Sequence, residues 1–302
     1  MNQTLVVGST VIDVLVSLSR LPKSGEDINI SAQHYRLGGC AYNVFETLRV
    51  FKSPAFLASP AGTGIYGTMV REKMKERGIE PFVNLEEENG CCYCLVDGSG
   101  ERSFLSHHGA EYLFMRQWMD GMDLSVFDSL YISGIDVEDR TGDEIVSFAC
   151  ENKGLDLYFA PGPRIAHIDP FRVTKILGRR GKNGKGPFLH LNSEEAFSLS
   201  GRSGVEEAAA ALAGRTANSV VITLGEKGCY CYDFCQNASG CHIPGIPVRA
   251  IDTTGAGDAH FGAVIAGLKQ GRSLAESCVT ANKTGAMVAG TRGCILDKMP
   301  EE

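Results

Sequence analysis

What the chain lacks already narrows its class. No apolar run is long enough to span a bilayer: the N-terminal stretch MNQTLVVGSTVIDVLVSLSR is broken by Asp13 and has no basic segment ahead of it. Neither a secretion signal nor a transmembrane helix fits, so the reading is a cytoplasmic protein with no membrane partner. Positive charge is also short, with 29 Lys and Arg against 36 Asp and Glu, a net charge of −7. That balance argues against nucleic acid as the main partner. One basic run, Arg172, Lys175, Arg179, Arg180, Lys182 and Lys185, reads as a solvated helix end and loop. G-x-x-x-x-G-K-[ST], H-E-x-x-H and G-x-S-x-G are missing, which counts against P-loop, zinc-protease and α/β-hydrolase chemistry. There is no internal repeat, no low-complexity tract and no three-residue glycine period, and 43% hydrophobic residues exclude disorder.

Glycine, by contrast, is abundant, with 36 of 302 residues, and cysteine is plentiful at 11. An odd cysteine count without a secretion signal favours reduced thiols. Cys91 and Cys94 have the spacing of zinc ligands. However, Cys229-Tyr230-Cys231-Tyr232 alternates as a strand does, and free cysteine packs as a small hydrophobe. Packing is the preferred reading for these thiols.

Short β-branched runs alternate with amphipathic segments. Strands are expected over 4–7, 55–58, 129–133, 155–159, 188–191 and 219–224. Helices are expected over 43–51, 65–77, 139–152, 205–215, 256–269 and 274–288. Strands separated by helical crossovers imply an α/β fold with a mostly parallel sheet covered on both faces, and ligands at the carboxyl ends of its strands. Two stretches break this rhythm. Residues 14–37 read as short extended pieces, and 91–107 as a hairpin turning at Asp97-Gly98-Ser99-Gly100. Together they would form a small β-sheet lid inserted in a single domain spanning 1–302.

The strongest chemical signal is IDTTGAGDAHFGAVIAGLKQG, residues 251–271. Gly255, Ala256 and Gly257 let backbone approach a ligand closely, and the following helix is apolar almost all round and therefore buried. Its N-terminus would offer unpaired N–H groups and the positive end of the dipole to an anion. Asp258, in the first turn, suits either a helix cap or a base that takes a proton from an attacking hydroxyl beside the phosphate.

In these residues the chain resembles the ribokinase-like (PfkB) carbohydrate kinases over nearly its whole length. Asp252-Thr253-Thr254-Gly255-Ala256-Gly257-Asp258 matches the family's C-terminal signature, and Gly38-Gly39-Cys40-Ala41-Tyr42-Asn43 its Gly-Gly-x-x-x-Asn. Asp13 matches the sugar-hydroxyl ligand after the first strand. Asn192 and Glu195 match the Asn-x-x-Glu of the magnesium region, and Thr223-Leu224-Gly225-Glu226-Lys227-Gly228 the nucleotide loop. The resemblance implies a ribokinase-like three-layer α/β/α fold and an enzyme that moves the γ-phosphoryl group of ATP to a hydroxyl of a small sugar. It implies Asp258 as base, the N–H groups of Gly255, Ala256 and Gly257 as anion hole, and substrate contacts from Asp13, Gly38, Gly39 and Asn43. Asn192, Thr223, Gly225, Gly228 and Asn282 would line the nucleotide. Mg²⁺ would be held through water by Glu195, and a monovalent cation such as K⁺ by Asp252 and Thr254 with the loop around Gly293. It also implies a homodimer through the lid.

Residue chemistry leaves alternatives beside these roles. Asn43 also suits the cap of a helix beginning there, Glu195 a solvated helix surface, and the glycines of the nucleotide loop plain turns. The chain departs from family patterns at Gly62-Thr63-Gly64-Ile65-Tyr66-Gly67, which lacks an acidic residue, and at Ala160-Pro161-Gly162-Pro163-Arg164, where Arg164 lacks an acidic companion. The former is itself a G-x-G-x-x-G with Glu80 and Glu86 downstream, so a nicotinamide-dependent oxidoreductase is one competing reading. A nucleoside kinase of the same family is another, and a catalytically inactive binding or regulatory protein on this fold a third.

Overall fold

A computed structural model describes residues 3–236, 238–291, 293, 296, 299 and 300. Two compact units emerge, Met1–Gly8 with Cys40–Leu57 and Phe114–Glu302, and Ser9–Gly39 with Ala58–Leu113. In chain order the elements up to the second unit's end are β1 (Gln3–Val7), β2 (Val11–Ser17), β3 (Ala32–Gly38), α1 (Cys40–Val50) and β4 (Ala55–Ala58). They continue with β5 (Pro60–Thr63), α2 (Gly64–Glu76), β6 (Val83–Glu88), β7 (Cys91–Val96) and β8 (Arg102–His107). Then follow β9 (Phe127–Ser133), α3 (Gly134–Glu138), α4 (Gly142–Glu151), β10 (Asp156–Ala160), α5 (Pro170–Gly178) and β11 (Phe188–Asn192). The chain closes with α6 (Ser193–Ser200), α7 (Val205–Thr216), β12 (Val220–Thr223), β13 (Gly228–Asp233), β14 (Ser239–Pro244), α8 (Ala256–Lys269) and α9 (Leu274–Ala289).

The first unit is built on an eight-stranded sheet ordered β14-β13-β12-β11-β10-β9-β1-β4. Neighbours from β1 through β9, β10 and β11 to β12 pair in parallel, and β12-β13-β14 close the edge as an antiparallel meander. The parallel strands are buried on both faces, as crossover helices require. One helical layer joins α1, α8 and α9; the other runs through α4, α5, α6 and α7. This is the three-layer α/β/α arrangement the sequence predicts. Phe261 of α8 anchors its layer, with ring centroids 5.7 Å from Tyr131, 6.0 Å from Tyr158 and Phe188, and 4.5 Å from His190. One aromatic thus ties α8 to β9, β10 and β11, and fixes the helix's first turn just upstream.

The second unit holds a four-stranded sheet, β3-β2-β7-β8, and a two-stranded one, β5-β6, with α2. The predicted lid pieces 14–37 and 91–107 both fall in this unit, which also takes in 58–90. The hairpin turns where predicted: Asp97 Oδ1 accepts from the N–H of Ser99 (2.8 Å) and of Glu101 (3.2 Å). Cys91 and Cys94 lie three residues apart on β7 and so on opposite faces, which does not suit a shared zinc. The ten described cysteines are free.

The G-x-G-x-x-G belongs to this unit rather than to a first strand of the parallel sheet, and its glycines have a packing reason. A side chain at Gly62 would meet Glu87 O at 2.1 Å, and one at Gly67 would meet Gly62 O at 2.2 Å. The basic run also differs from its reading as a solvated segment. Arg172 donates to the carbonyls of Val137, Glu138 and Asp139 at 2.8, 3.1 and 2.7 Å. Arg179, 5% exposed, donates to Ala149, Asn152 and Leu155. Arg164 does have an acidic companion: Glu138, at 2.5–2.6 Å through both guanidinium Nε and Nη2.

Candidate active site

The Asp252–Asp258 segment folds as a tight turn feeding α8. Asp252 Oδ1 accepts from Thr254 N–H at 3.0 Å, and Gly255, at φ +75°, caps the helix in the left-handed region that favours glycine. The first intrahelical bond runs from Ala259 N–H to Gly255 O at 2.8 Å. Ahead of it, Ala256 N–H donates to Thr253 O at 3.2 Å, so it is engaged in the turn rather than free for a ligand as the sequence suggested. Gly255, Gly257 and Asp258 keep N–H groups with no acceptor among the described residues. Thr254 Oγ1 is buried and has no partner there either.

Asp258 is half-buried in this turn, and burial pushes its carboxyl up to about 6 against the hydrogen bonds from Asn43 and Cys40. Asn43 Nδ2 donates to Asp258 Oδ2 at 2.9 Å. Because α1 begins at Cys40, Asn43 lies inside the first turn and is not the cap it could have been. Its amide is anchored on Asp258, so its Oδ1 is left as a buried acceptor without a donor, on a side chain only 3% exposed. An orphaned acceptor of that kind is costly unless a ligand supplies the hydrogen.

Glu195 is buried, not solvated. Asn192 and Glu195 form a reciprocal capping box at the start of α6: Asn192 Oδ1 accepts from Glu195 N–H (2.8 Å), and the Glu195 carboxylate accepts from Asn192 N–H (3.1 Å) and Nδ2 (2.7 Å). Burial first, and then the negative charge of Asp258, push the Glu195 carboxyl up to about 6, against the Asn192 backbone hydrogen bond. A carboxylate with spare lone pairs and a second acid nearby is short of positive charge. It therefore fits a hard cation held through water, while no cluster of three or more His, Cys, Asp or Glu among the described residues forms a metal cage.

Further along the sheet, Thr223 Oγ1 donates to Leu191 O at 3.3 Å. Gly225 and Gly228 have φ of +61° and +93°, and a side chain at Gly228 would meet Ile243 O at 2.2 Å, so this glycine is required by the β13-β14 meander itself. Asn282 is already engaged: its Nδ2 donates to Ile243 O (3.1 Å) and Pro244 O (3.0 Å), and its Oδ1 faces His260 Nε2 at 3.1 Å. The amide orientation makes His260 Nε2 the donor. His260 Nδ1 then accepts from His190 Nε2 at 2.9 Å, and burial holds the His190 ring well below its usual range, hence neutral. Asn282 is thus a tie between α9, α8 and β14.

Within the second unit, Asp13 is buried on β2, opposite Arg36 of β3 and Cys92 of β7. A side chain at Gly38 would come within 2.0 Å of Asp13 Oδ2, so this glycine leaves room for the carboxylate. Gly39 at φ +102° packs against Ser9 O, where a Cβ would sit at 2.5 Å. Gly293 is described, but residues 292, 294 and 295 of the loop expected near a monovalent cation lie outside the described residues. Sequence reasoning overlooked Cys40, although its spacing three before Asn43 marks it as a neighbour on the same helix face.

Comparison with known proteins follows the same lines. The model of the pfkB family carbohydrate kinases matches residues 1–170 and 183–302. An uncharacterized sugar kinase of Escherichia coli, YegV, is 33% identical over 97% of this chain and 90% of its own length. The mouse ribokinase is 27% identical over 86% of this chain and 80% of its own. The structure of Arabidopsis thaliana ribokinase complexed with ribose and ATP superimposes with a TM-score of 0.75 at 20% identity, covering 99% of this chain and 96% of that one. The helices, for their part, include none among the described residues long and apolar enough to cross a membrane.

Proposed function

The chain belongs to the pfkB family of carbohydrate kinases, and we propose that it transfers the γ-phosphoryl group of ATP to a hydroxyl of a small sugar with Asp258 as general base. The observation that carries this reading is a single helical turn. It holds a carboxylate raised to about 6 beside the free N–H groups of Gly255 and Gly257. A base with that value is ionised at neutral pH yet still accepts a proton readily. The acceptor hydroxyl gives its proton to Asp258 as its oxygen bonds to the γ-phosphorus, and the bond to the bridging oxygen breaks to release ADP. Charge on the transferring group faces the N–H donors and the positive end of α8.

The orphaned Oδ1 of Asn43 supports a hydroxyl donor on the sugar. Within the second unit, taken by itself, Asp13 is a buried carboxylate for which Gly38 leaves room. Glu195 would hold Mg²⁺ through water, where the ion offsets the phosphate charge. Asp252 and the unpartnered Thr254 hydroxyl suit a monovalent cation such as K⁺. The loop from Thr223 to Gly228 is the proposed nucleotide edge, with Asn282 acting from behind it as a tie.

The test is ATP turnover over a panel of free sugars, sugar phosphates and nucleosides, headed by ribose, for the native protein and Asp258→Asn. Turnover with a sugar, and a fall in kcat of about 10²–10⁴-fold in the variant with KM for ATP little changed, is the expected result. Equal turnover by the two proteins removes Asp258 as base.

A further inference from the structure

Two residues past Asp258, three buried side chains from three elements form one hydrogen-bonded line: His190 of β11, His260 of α8 and Asn282 of α9. Its direction follows from its far end. Asn282 meets Ile243 O at 3.1 Å and Pro244 O at 3.0 Å, and carbonyls only accept, so the amide nitrogen lies there and Oδ1 is turned to His260. His260 Nε2 is then the donor, at 3.1 Å, and its Nδ1 takes the hydrogen of His190 Nε2 at 2.9 Å.

The two carbonyls belong to the stretch of backbone on which the loop Gly225–Gly228 is seated. β14 is the edge strand of its sheet, paired with β13 on one side. Just past it, Gly245 N–H donates to Lys227 O at 3.2 Å, and His242 Nε2 donates to the same oxygen at 2.8 Å. A side chain at Gly245 would meet Glu226 O at 2.1 Å, and one at Gly228 would meet Ile243 O at 2.2 Å. Backbone packed that closely moves together, so a shift of Ile243–Gly245 is a shift of the loop.

We infer that His260 is a positioning residue for the nucleotide loop: its Nε2–H fixes the amide of Asn282, which holds the end of β14 on which Gly225–Gly228 rests. The inference rests on the reading of that loop as the nucleotide edge. It gives His260 a task separate from that of Asp258, although both belong to α8. Residues two apart do not share a helix face; Asp258 meets Asn43 of α1, while His260 meets β11 and α9. Loss of the His260 donor would leave Asn282 Oδ1 a buried acceptor without a hydrogen. That cost is relieved by moving the amide toward another donor, away from Ile243 and Pro244.

The experiment compares the native protein with His260→Phe, which keeps a ring but loses the donor, and His260→Gln, whose amide nitrogen restores one. Calorimetry reads ADP affinity, and steady-state kinetics use the sugar selected by the panel. His260→Phe is expected to weaken ADP binding and raise the KM for ATP by about tenfold, with kcat at saturating ATP and the sugar KM within about threefold. His260→Gln should return both nucleotide values to within about threefold of native. Unchanged nucleotide affinity in His260→Phe, whatever its melting temperature, overturns the inference. So does a glutamine variant that behaves like phenylalanine, or a loss confined to kcat. Long-range ¹H–¹⁵N NMR of the native imidazoles, with His260 assigned by its loss in His260→Gln, reads the ring directly and does not depend on His260→Phe folding. A proton on His260 Nε2 is expected, and an unprotonated Nε2 overturns the inference. A native protein that binds no ADP fails the nucleotide reading and the inference with it. Native binding with an unaffected phenylalanine variant fails the inference alone, so the two failures are distinguishable.

Discussion

A methyl group at Gly257 would meet no protein atom within 4 Å, and the residue lies in the first turn of α8. The fold therefore has no need of glycine there, in contrast to Gly255, whose left-handed φ of +75° disfavours any side chain, and Gly228, which touches the backbone of β14. What a methyl at 257 would meet is whatever lies against the N–H groups. Gly257→Ala should stabilise the protein by about 0.5–1 kcal/mol, since alanine replaces glycine in a helix. It should also lower kcat/KM for ATP by at least about tenfold, because a small displacement of the reacting group is costly. Urea denaturation and steady-state kinetics on the same preparation read both effects. An alanine variant that is stabilised and fully active would show that this turn is not pressed against a phosphate.

The base and its Asn43 donor sit on two helices whose spacing is set by a second glycine. On α8, a side chain at Gly262 would come 2.7 Å from Thr47 Cβ and 3.1 Å from Val44 O on α1. Gly262→Val should force the helices apart and destabilise the fold by about 1–3 kcal/mol despite the better helix propensity, read as a fall in the urea midpoint at constant m. Loss of kcat should accompany it, since α1 carries Asn43 while α8 carries Asp258. Helix α8 was readable to its end residues because one segment combines a turn of small residues with an apolar surface on every side. The start of α4 was not: the expected helix 139–152 begins three residues ahead of Gly142, and α3 over Gly134–Glu138 was not expected at all. The break between these two helices is held by Arg172, about 30 residues on, taking the carbonyls of Val137, Glu138 and Asp139. The same limit applies at the site: the motifs disclose Asp258, Asn43, Asn192 and Glu195, whereas the contact of Asn43 with Asp258 and the burial of Glu195 arise from chain segments far apart in sequence. Asn282 shows the converse, a residue given a nucleotide role by its position whose amide is taken up by Ile243, Pro244 and His260.

Over the whole molecule, the net charge of −7 hides a more specific stress, because several carboxyls are held protonation-prone inside the fold. Burial raises Asp258 to about 6, raises Glu195 to about 6, and raises Glu111, which accepts from Gly90 and Gly109 N–H groups in the second unit. A carboxyl whose value is higher folded than unfolded binds protons more tightly in the native state. Its contribution is most favourable below the unfolded value and is lost as pH rises through the folded one. For Asp258 that window runs from 3.8 to about 6. At pH 8 the native state thus carries an ionised, half-buried Asp258 at a cost on the order of 1 kcal/mol once water access is allowed for. Asp258→Asn removes the charge yet keeps an oxygen for Asn43, so it should melt about 2–4 °C above the native protein at pH 8. The gap should narrow steadily as pH falls through 6 toward 5, where the native carboxyl takes up its proton. Carboxylates held low by hydrogen bonds, such as Asp97, Asp123 and Glu276, are exposed and common to both proteins, so they cancel in the difference. A gap independent of pH would mean that the variant acts through packing instead. A gap that closes on the acid side while turnover is lost would mean that the charge needed for phosphoryl transfer is held against the stability of the fold.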